Sequence, residues 1–167
     1  MTDSLTLLNA EVLTSLYGGV PRLDGFRLRS INLNWRGPTV TLRIDLPDFP
    51  ENVPGEWEGS DVDTVQCHLQ FLAVADFSLS TWEPPVPRVS FRVTSLADGA
   101  RVRAEAVASG LRLGFTSSRS ALVGHVSAFG TQPDGSDAGP HLFTKRMDGM
   151  RYTSLPEPSE KTFYERL

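Results

Sequence analysis

Between Gly25 and Leu46 two runs of alternating apolar and polar residues flank a single turn, and few folds accept that pattern. Val40, Leu42, Ile44 and Leu46 alternate with Thr41, Arg43 and Asp45, the period-two signature of a strand with one buried face. Ahead of the turn, Ile31, Leu33 and Trp35 alternate with Asn32, Asn34 and Arg36. Phe26 and Leu28 extend the apolar side but slip phase by one residue near Ser30, where a β-bulge restores the register. Arg36, Gly37 and Pro38 supply the turn: Gly37 can take a positive φ and Pro38 cannot extend a central ladder. The stretch 25–46 therefore predicts a core antiparallel hairpin with Trp35 buried on its apolar face. It is scaffold, since it holds no residue set able to run chemistry.

The rest of the chain repeats the theme. Residues 4–17 read as one helix, with Leu5, Leu8, Val12, Leu13 and Leu16 at helical spacing, Asp3 or Ser4 as N-cap and Gly18-Gly19 as the stop. Residues 47–63 read as an acidic loop, because Pro47, Pro50 and Pro54 forbid a regular central strand. Residues 64–147 read as antiparallel strands. Val65, Cys67, Leu69 and Phe71 share one face, a strand follows from Phe77 to Trp82, and further runs turn at Asp98-Gly99 and Ser109-Gly110. One more strand is predicted near His141–Met147, and the tail, 148–167, ends in a short helical turn over 158–167. The fold expected is mainly β, on the border of α+β. It is an antiparallel sheet, sandwich or partly open barrel of about eight or nine strands with one N-terminal helix. With 167 residues, the chain reads as a single domain.

Composition narrows the function classes. No apolar run approaches the roughly 20 residues that span a bilayer, and the N-terminus lacks the basic leader and apolar core of a signal peptide. The expectation is a cytoplasmic protein with no membrane contact. Cys67 is the one cysteine, so no intrachain disulfide can form. Positive charge is nearly all arginine, with Lys145 and Lys161 the two lysines. A net charge of −4 argues against general affinity for nucleic acid.

The residues that could carry chemistry do not assemble into a motif. His68, His125 and His141 have no His, Cys or carboxylate at zinc-site spacing. Cys67 and His68 are neighbours, so on a strand they face opposite ways; Cys67 reads as core. Asp134-Gly135-Ser136-Asp137 lacks the ligand series of a calcium loop and reads as a solvated turn. There is no nucleophile elbow, P-loop or dinucleotide fingerprint. The expectation is no catalytic residue, no cofactor and no metal. A site assembled from distant residues stays open as an enzyme alternative, as does a small-ligand carrier built on a barrel-like cavity.

One charge feature stands apart. Asp45, Asp48, Glu51, Glu56, Glu58, Asp61 and Asp63 follow one another with no Lys or Arg between them, and Phe49, Val53 and Trp57 are interspersed. A solvated loop whose aromatics fold back on the sheet is one reading. The other is a partner-binding surface of Asp48, Glu51, Glu56, Trp57, Glu58, Asp61 and Asp63, in which acids steer a basic partner and Trp57 anchors it.

Five segments in order carry a family resemblance. They are the opening helix from Leu7 to Gly18, Ile31 to Gly37 with its Trp35-x-Gly37, Thr64 to Val74, Gly124 to Phe129, and Glu160 to Arg166 in the tail. Together they make the chain resemble the immunity protein 50 family of bacterial polymorphic toxin systems, as found in actinobacteria such as Streptomyces. The resemblance implies an intracellular protein that binds and neutralises a cognate toxin domain without catalysis. Many such toxins are nucleases with basic faces, which an acidic surface would suit. It implies no catalytic or metal residues, and it leaves the toxin, the interface and the oligomeric state unspecified.

Overall fold

The computed structural model describes residues 4–143. The predicted hairpin is there as β2 (Arg27–Asn34) and β3 (Thr39–Asp45). Its register breaks between Leu28 and Ser30, and Gly37 turns it at φ +75°. Val40, Leu42 and Ile44 are fully buried. Trp35 is not: it is 66% exposed. The last core row of the hairpin is Leu33 opposite Val40, and Asn34 opposite Thr39 closes the ladder. Trp35 lies past that closure, in the turn, where neither a partner strand nor a facing layer among the described residues covers it.

The N-terminal helix is shorter than its pattern suggests. Thr6–Leu8 form a strand, β1, and the helix α1 spans Glu11–Tyr17, ending at Gly18 in the left-handed conformation. The leucines of residues 5–8 fit helical spacing, but the edge of a long strand, β9 (Ser120–Phe129), is open beside them. β1 pairs with it in parallel, Thr6 to Ser120 and Leu8 to Leu122. Asn9, at φ +57°, breaks any continuous helix ahead of α1, and residues 6–8 take up the open strand edge instead.

The remaining strands are β4 (Thr64–Phe71), β5 (Ala75–Trp82), β6 (Ser90–Ser95), β7 (Arg101–Ala108), β8 (Leu111–Ser118) and β10 (Leu142–Phe143). They form two sheets: β1-β9-β4-β3-β2 with β10 also on β9, and β5-β8-β7-β6. All pairings except β1 with β9 are antiparallel. The fold is thus mainly β, an unclosed two-sheet arrangement. Residues 144–147 of the predicted last strand and the tail lie outside the described residues.

The sheets meet over aromatic rings. Phe71 of β4 lies 5.0 Å from Phe115 of β8 and 6.4 Å from Phe91 of β6, and Phe26 lies 5.2 Å from Phe91. Around them the inward residues of both sheets join Leu13 and Leu16 of α1 in one apolar cluster. The segment before β6 bonds the start of β2: Leu28 N–H donates to the Val86 carbonyl at 2.8 Å, and Val89 N–H to the Phe26 carbonyl at 2.8 Å. The strand faces that would line a carrier's cavity are here packed ring against ring.

Candidate functional site

Three surfaces carry the polar chemistry, and the sequence pointed to one of them. In the acidic loop, Glu51, Glu56, Glu58 and Asp61 are exposed, and no ion pair engages them among the described residues. The two ends of the run are tied down. Asp48 takes two hydrogen bonds from Arg22, at 3.0 and 3.1 Å, and its carbonyl accepts the Tyr17 hydroxyl at 2.7 Å. Burial, then the nearby Cys67 and Asp48, raises the Tyr17 phenol. Asp63 accepts from Thr64 Oγ1 at 2.8 Å and from the Thr131 backbone and hydroxyl at 3.0 Å each. Burial pulls the Asp63 carboxyl upward, but these hydrogen bonds prevail and hold it below the ordinary carboxylate range.

Trp57 requires a correction. It is 3% exposed, on a short 3₁₀ turn at Gly55–Trp57. It belongs to the apolar cluster, with the Phe49 ring 6.5 Å away. Burying an indole releases more free energy than any other side chain in this loop can offer, so the loop folds around Trp57 instead of presenting it. The turn leaves Glu56 and Glu58 outside. Between loop and helix an open cleft of about 440 Å³ is lined by Ser15, Leu16, Val53 and Pro54, with Glu51 and Glu58 beside them.

The second surface is the side of the six-stranded sheet away from the ring-packed interior. Alternation places Asn32, Thr41, Asp45, Gln66, His68 and Ser127 there, all buried. The bulge of β2 adds Arg29, whose Nε and Nη2 donate to Asp45 Oδ2 at 2.9 and 2.7 Å. Gln66 Nε2 donates to Asp45 Oδ1 at 2.7 Å and to Asp137 Oδ2 at 2.8 Å. Arg43 Nη1 lies 3.6 Å from the same Asp137 oxygen, and Arg29 Nη1 lies 3.9 Å from the other. Asp137 comes from a strap, residues 130–141, that crosses this face. Burial pushes the Asp137 carboxyl up, but Gln66, Arg43 and Arg29 more than offset this and keep it low.

The strap ends on His141. Its Nε2 faces the Asp137 carbonyl at 3.0 Å and must carry the proton, since a carbonyl only accepts; Nδ1 then accepts the Ser127 hydroxyl at 2.9 Å. The ring stacks on Phe129 at 4.7 Å, and the Arg29 guanidinium carbon lies over the Phe129 ring, 5.6 Å from its centroid. Burial lowers the His141 pKa. The turn predicted over 134–137 exists, with Asp134 exposed and accepting from Ser136 N–H at 2.9 Å. Asp137 is the exception to its solvated reading, because it is clamped by the sheet.

His68 and His125 do meet, their rings 5.1 Å apart. Pairings of Gln66 with Ser127 and His68 with Gly124 leave two β9 residues, His125 and Val126, opposite Cys67. This bulge places His125 at φ +49°, a cost on the order of 1 kcal/mol for a side chain other than glycine. It keeps Val126 and Ala128 in the core phase. Cys67 sits on the opposite side, fully buried, its thiol pushed up to about 12 by burial and then by Asp45. Among the described residues no three His, Cys, Asp or Glu converge in a metal-holding group. The third surface, on the four-stranded sheet, is arginine-rich.

No helix among the described residues is long and apolar enough to cross a membrane. No curated protein and no solved structure matches the chain. A family model, Immunity protein 50, does match it, over residues 9–119. That span runs from the start of α1 through the hairpin, β4 and the four-stranded sheet to the end of β8, two thirds of the chain, and on it the chain belongs to the immunity protein 50 family.

Proposed function

We propose that this protein neutralises a cognate toxin domain by binding it, non-catalytically and inside the producing cell, and that the acidic loop is the contact. The observation that carries this is the exposed set Glu51, Glu56, Glu58 and Asp61 around the cleft beside α1. Its chemistry suits a basic partner, such as the substrate-binding face of a nuclease toxin. An inhibitor of this kind needs a rigid presentation of charge, and Trp57 supplies it from beneath. Family membership supports the role of immunity protein; the loop supports the mode.

The test is binding kinetics with the cognate toxin at two ionic strengths. Reversing Glu56, Glu58 and Asp61 to Lys is expected to slow association about tenfold or more at low salt, with the difference shrinking as salt rises. Dissociation should change less. If the triple variant associates like the wild type at both salt concentrations, the loop is a solvated surface and the contact lies elsewhere.

A further inference from the structure

The outer face of the four-stranded sheet is built differently from the other surfaces among the described residues. On β7, Val102, Ala104 and Ala106 point into the core, so Arg101, Arg103 and Glu105 point out. On the flanking strands the outward positions include Arg92 and Arg112. No carboxylate lies within ion-pair distance of these four arginines among the described residues. Arg92 and Glu105 are direct cross-strand neighbours, yet they do not pair.

Two of the guanidinium groups are nonetheless held in place. Arg101 Nη2 donates to the Ala73 carbonyl at 2.8 Å and to Thr116 Oγ1 at 3.2 Å. Arg103 Nη1 donates to the Asp76 carbonyl at 3.2 Å. Its guanidinium lies over Gly114, filling the space where a side chain would stand. Ala73 and Asp76, which supply the two carbonyls, both sit at φ +51°, a conformation non-glycine residues adopt at a cost. The corner into β5 thus aims two carbonyls at two arginines. Carbonyls orient the guanidiniums without neutralising them, so the charge and the remaining donors stay available.

We infer that this face is a docking surface for a carboxylate-rich patch of a partner protein. The planar fork of arginine matches a carboxylate bidentately, and the two fixed forks have lost part of their rotamer freedom before any partner arrives. Phosphate would satisfy the same donors, but sheet faces that bind single-stranded nucleic acid stack bases on aromatic side chains. None of the outward positions here is aromatic, and the chain as a whole carries −4. The inference stands apart from the toxin reading: it needs neither the acidic loop nor the family.

The experiment follows backbone amide shifts of the full chain on titration with a short poly-L-glutamate peptide, and in parallel with an oligothymidylate. The expected result is peptide-induced shifts centred on the rows of Arg92, Arg101, Arg103 and Arg112, weakening by about tenfold or more as salt is raised through the physiological range. The variant Arg101→Gln/Arg103→Gln should abolish them. Because those two side chains also brace the β5 corner, Arg92→Gln/Arg112→Gln is the second variant; both residues are exposed, and binding should fall with the fold unchanged. Peptide shifts located elsewhere, tighter binding of the oligothymidylate, or unaltered binding by the second variant overturns the inference. So does self-association of the wild type that this variant removes, since the occupant would then be a second copy.

Discussion

Arg29 and Arg103 stand on outward-facing rows of neighbouring sheets, and their circumstances are opposite. Arg29 is buried, donates twice to Asp45 and lies under a strap that brings Asp137 to the same cluster. Arg103 is half-buried, held by a carbonyl, and meets no carboxylate among the described residues. The difference lies in what covers each face. Residues 130–141 close the first and balance its charge; no described residue closes the second. A buried ion cluster gains stability only when complete, because each member removed leaves another charge desolvated. An open arginine row adds little to stability and keeps its donors for something outside the molecule.

The comparison breaks most severely at Asp45. Asp45→Ala removes the acceptor of both Arg29 hydrogen bonds and of one bond of Gln66, and leaves Arg29 the more distant Asp137, at 3.9 Å, as its carboxylate partner among the described residues; breaking a buried pair in this way typically costs about 3–5 kcal/mol. Urea denaturation should show the unfolding free energy falling by that amount, through a lower midpoint at an unchanged slope; Arg92→Gln on the open face should stay within about 0.5 kcal/mol. The next largest effect belongs to Gly130, where the strap leaves β9. A Cβ there would collide with the backbone carbonyl of Asp61, which cannot move without disturbing the neighbouring bond of Asp63 N–H to the Phe129 carbonyl. Gly130→Ala should therefore cost about 1–3 kcal/mol by overpacking, read by the same denaturation.

These residues also mark how far the sequence could be read. The hairpin, its bulge and the alternation of β4 are local signals, and they were legible because strand period and turn chemistry act over a few residues. The covering of one sheet face is not local. Arg43 and Asp45 read as an ordinary solvent face, and what buries them is a strap some ninety residues downstream, at Asp137 and His141. Trp35 followed a sound local pattern, but the end of the ladder exposed it. For Trp57 the sequence left two readings, and the core buries it, as in the reading whose aromatics fold back and against the exposed anchor. Of the candidate site, the acidic run was visible as charge; the β5 corner that holds Arg101 and Arg103 depends on backbone angles with no signature in composition.

A gentler test uses pH, because the closed face holds His141 and Asp137, whose protonation burial and hydrogen bonds control. His141 has its pKa lowered by burial, so the folded state binds its proton less readily than the unfolded chain does. Stability is then complete above the ordinary histidine value of about 6.5 and declines as pH falls below it. Asp137 is also held low, as is Asp63, and their contributions are present above about pH 4 and lost below it. Thermal melts should thus show two steps of acid destabilisation, and His141→Asn should remove the upper one. The upper step should be smaller than the effect of Asp45→Ala or Gly130→Ala, since the Asp137 carbonyl and the nearby carboxylates partly offset the burial of His141. A melt that stays flat between pH 7 and pH 5 would mean that the strap does not exclude the His141 proton.

A change in stability as small as that of Arg92→Gln is expected of Gly114→Ala, and this variant separates the two faces most cleanly. Gly114 and Gly130 both lack room for a Cβ, but the obstacles differ. At Gly130 it is backbone. At Gly114 it is the far end of the Arg103 side chain, which can swing into solvent while β7 and β8 keep their pairing of Glu105 with Gly114. Alanine also loses less backbone entropy than glycine in a strand. The two terms oppose each other, and the net change should stay within about 0.5 kcal/mol. The geometry of the face should change far more, because Arg103 would leave its seat over β8 and its bond to the Asp76 carbonyl. The check is a pair of measurements on one variant: a denaturation midpoint close to wild type, and a loss of the Arg103 side-chain signal characteristic of a restrained guanidinium. If Gly114→Ala proves as costly as Gly130→Ala, Arg103 is packed as part of the scaffold. The open face would then be no different in kind from the closed one.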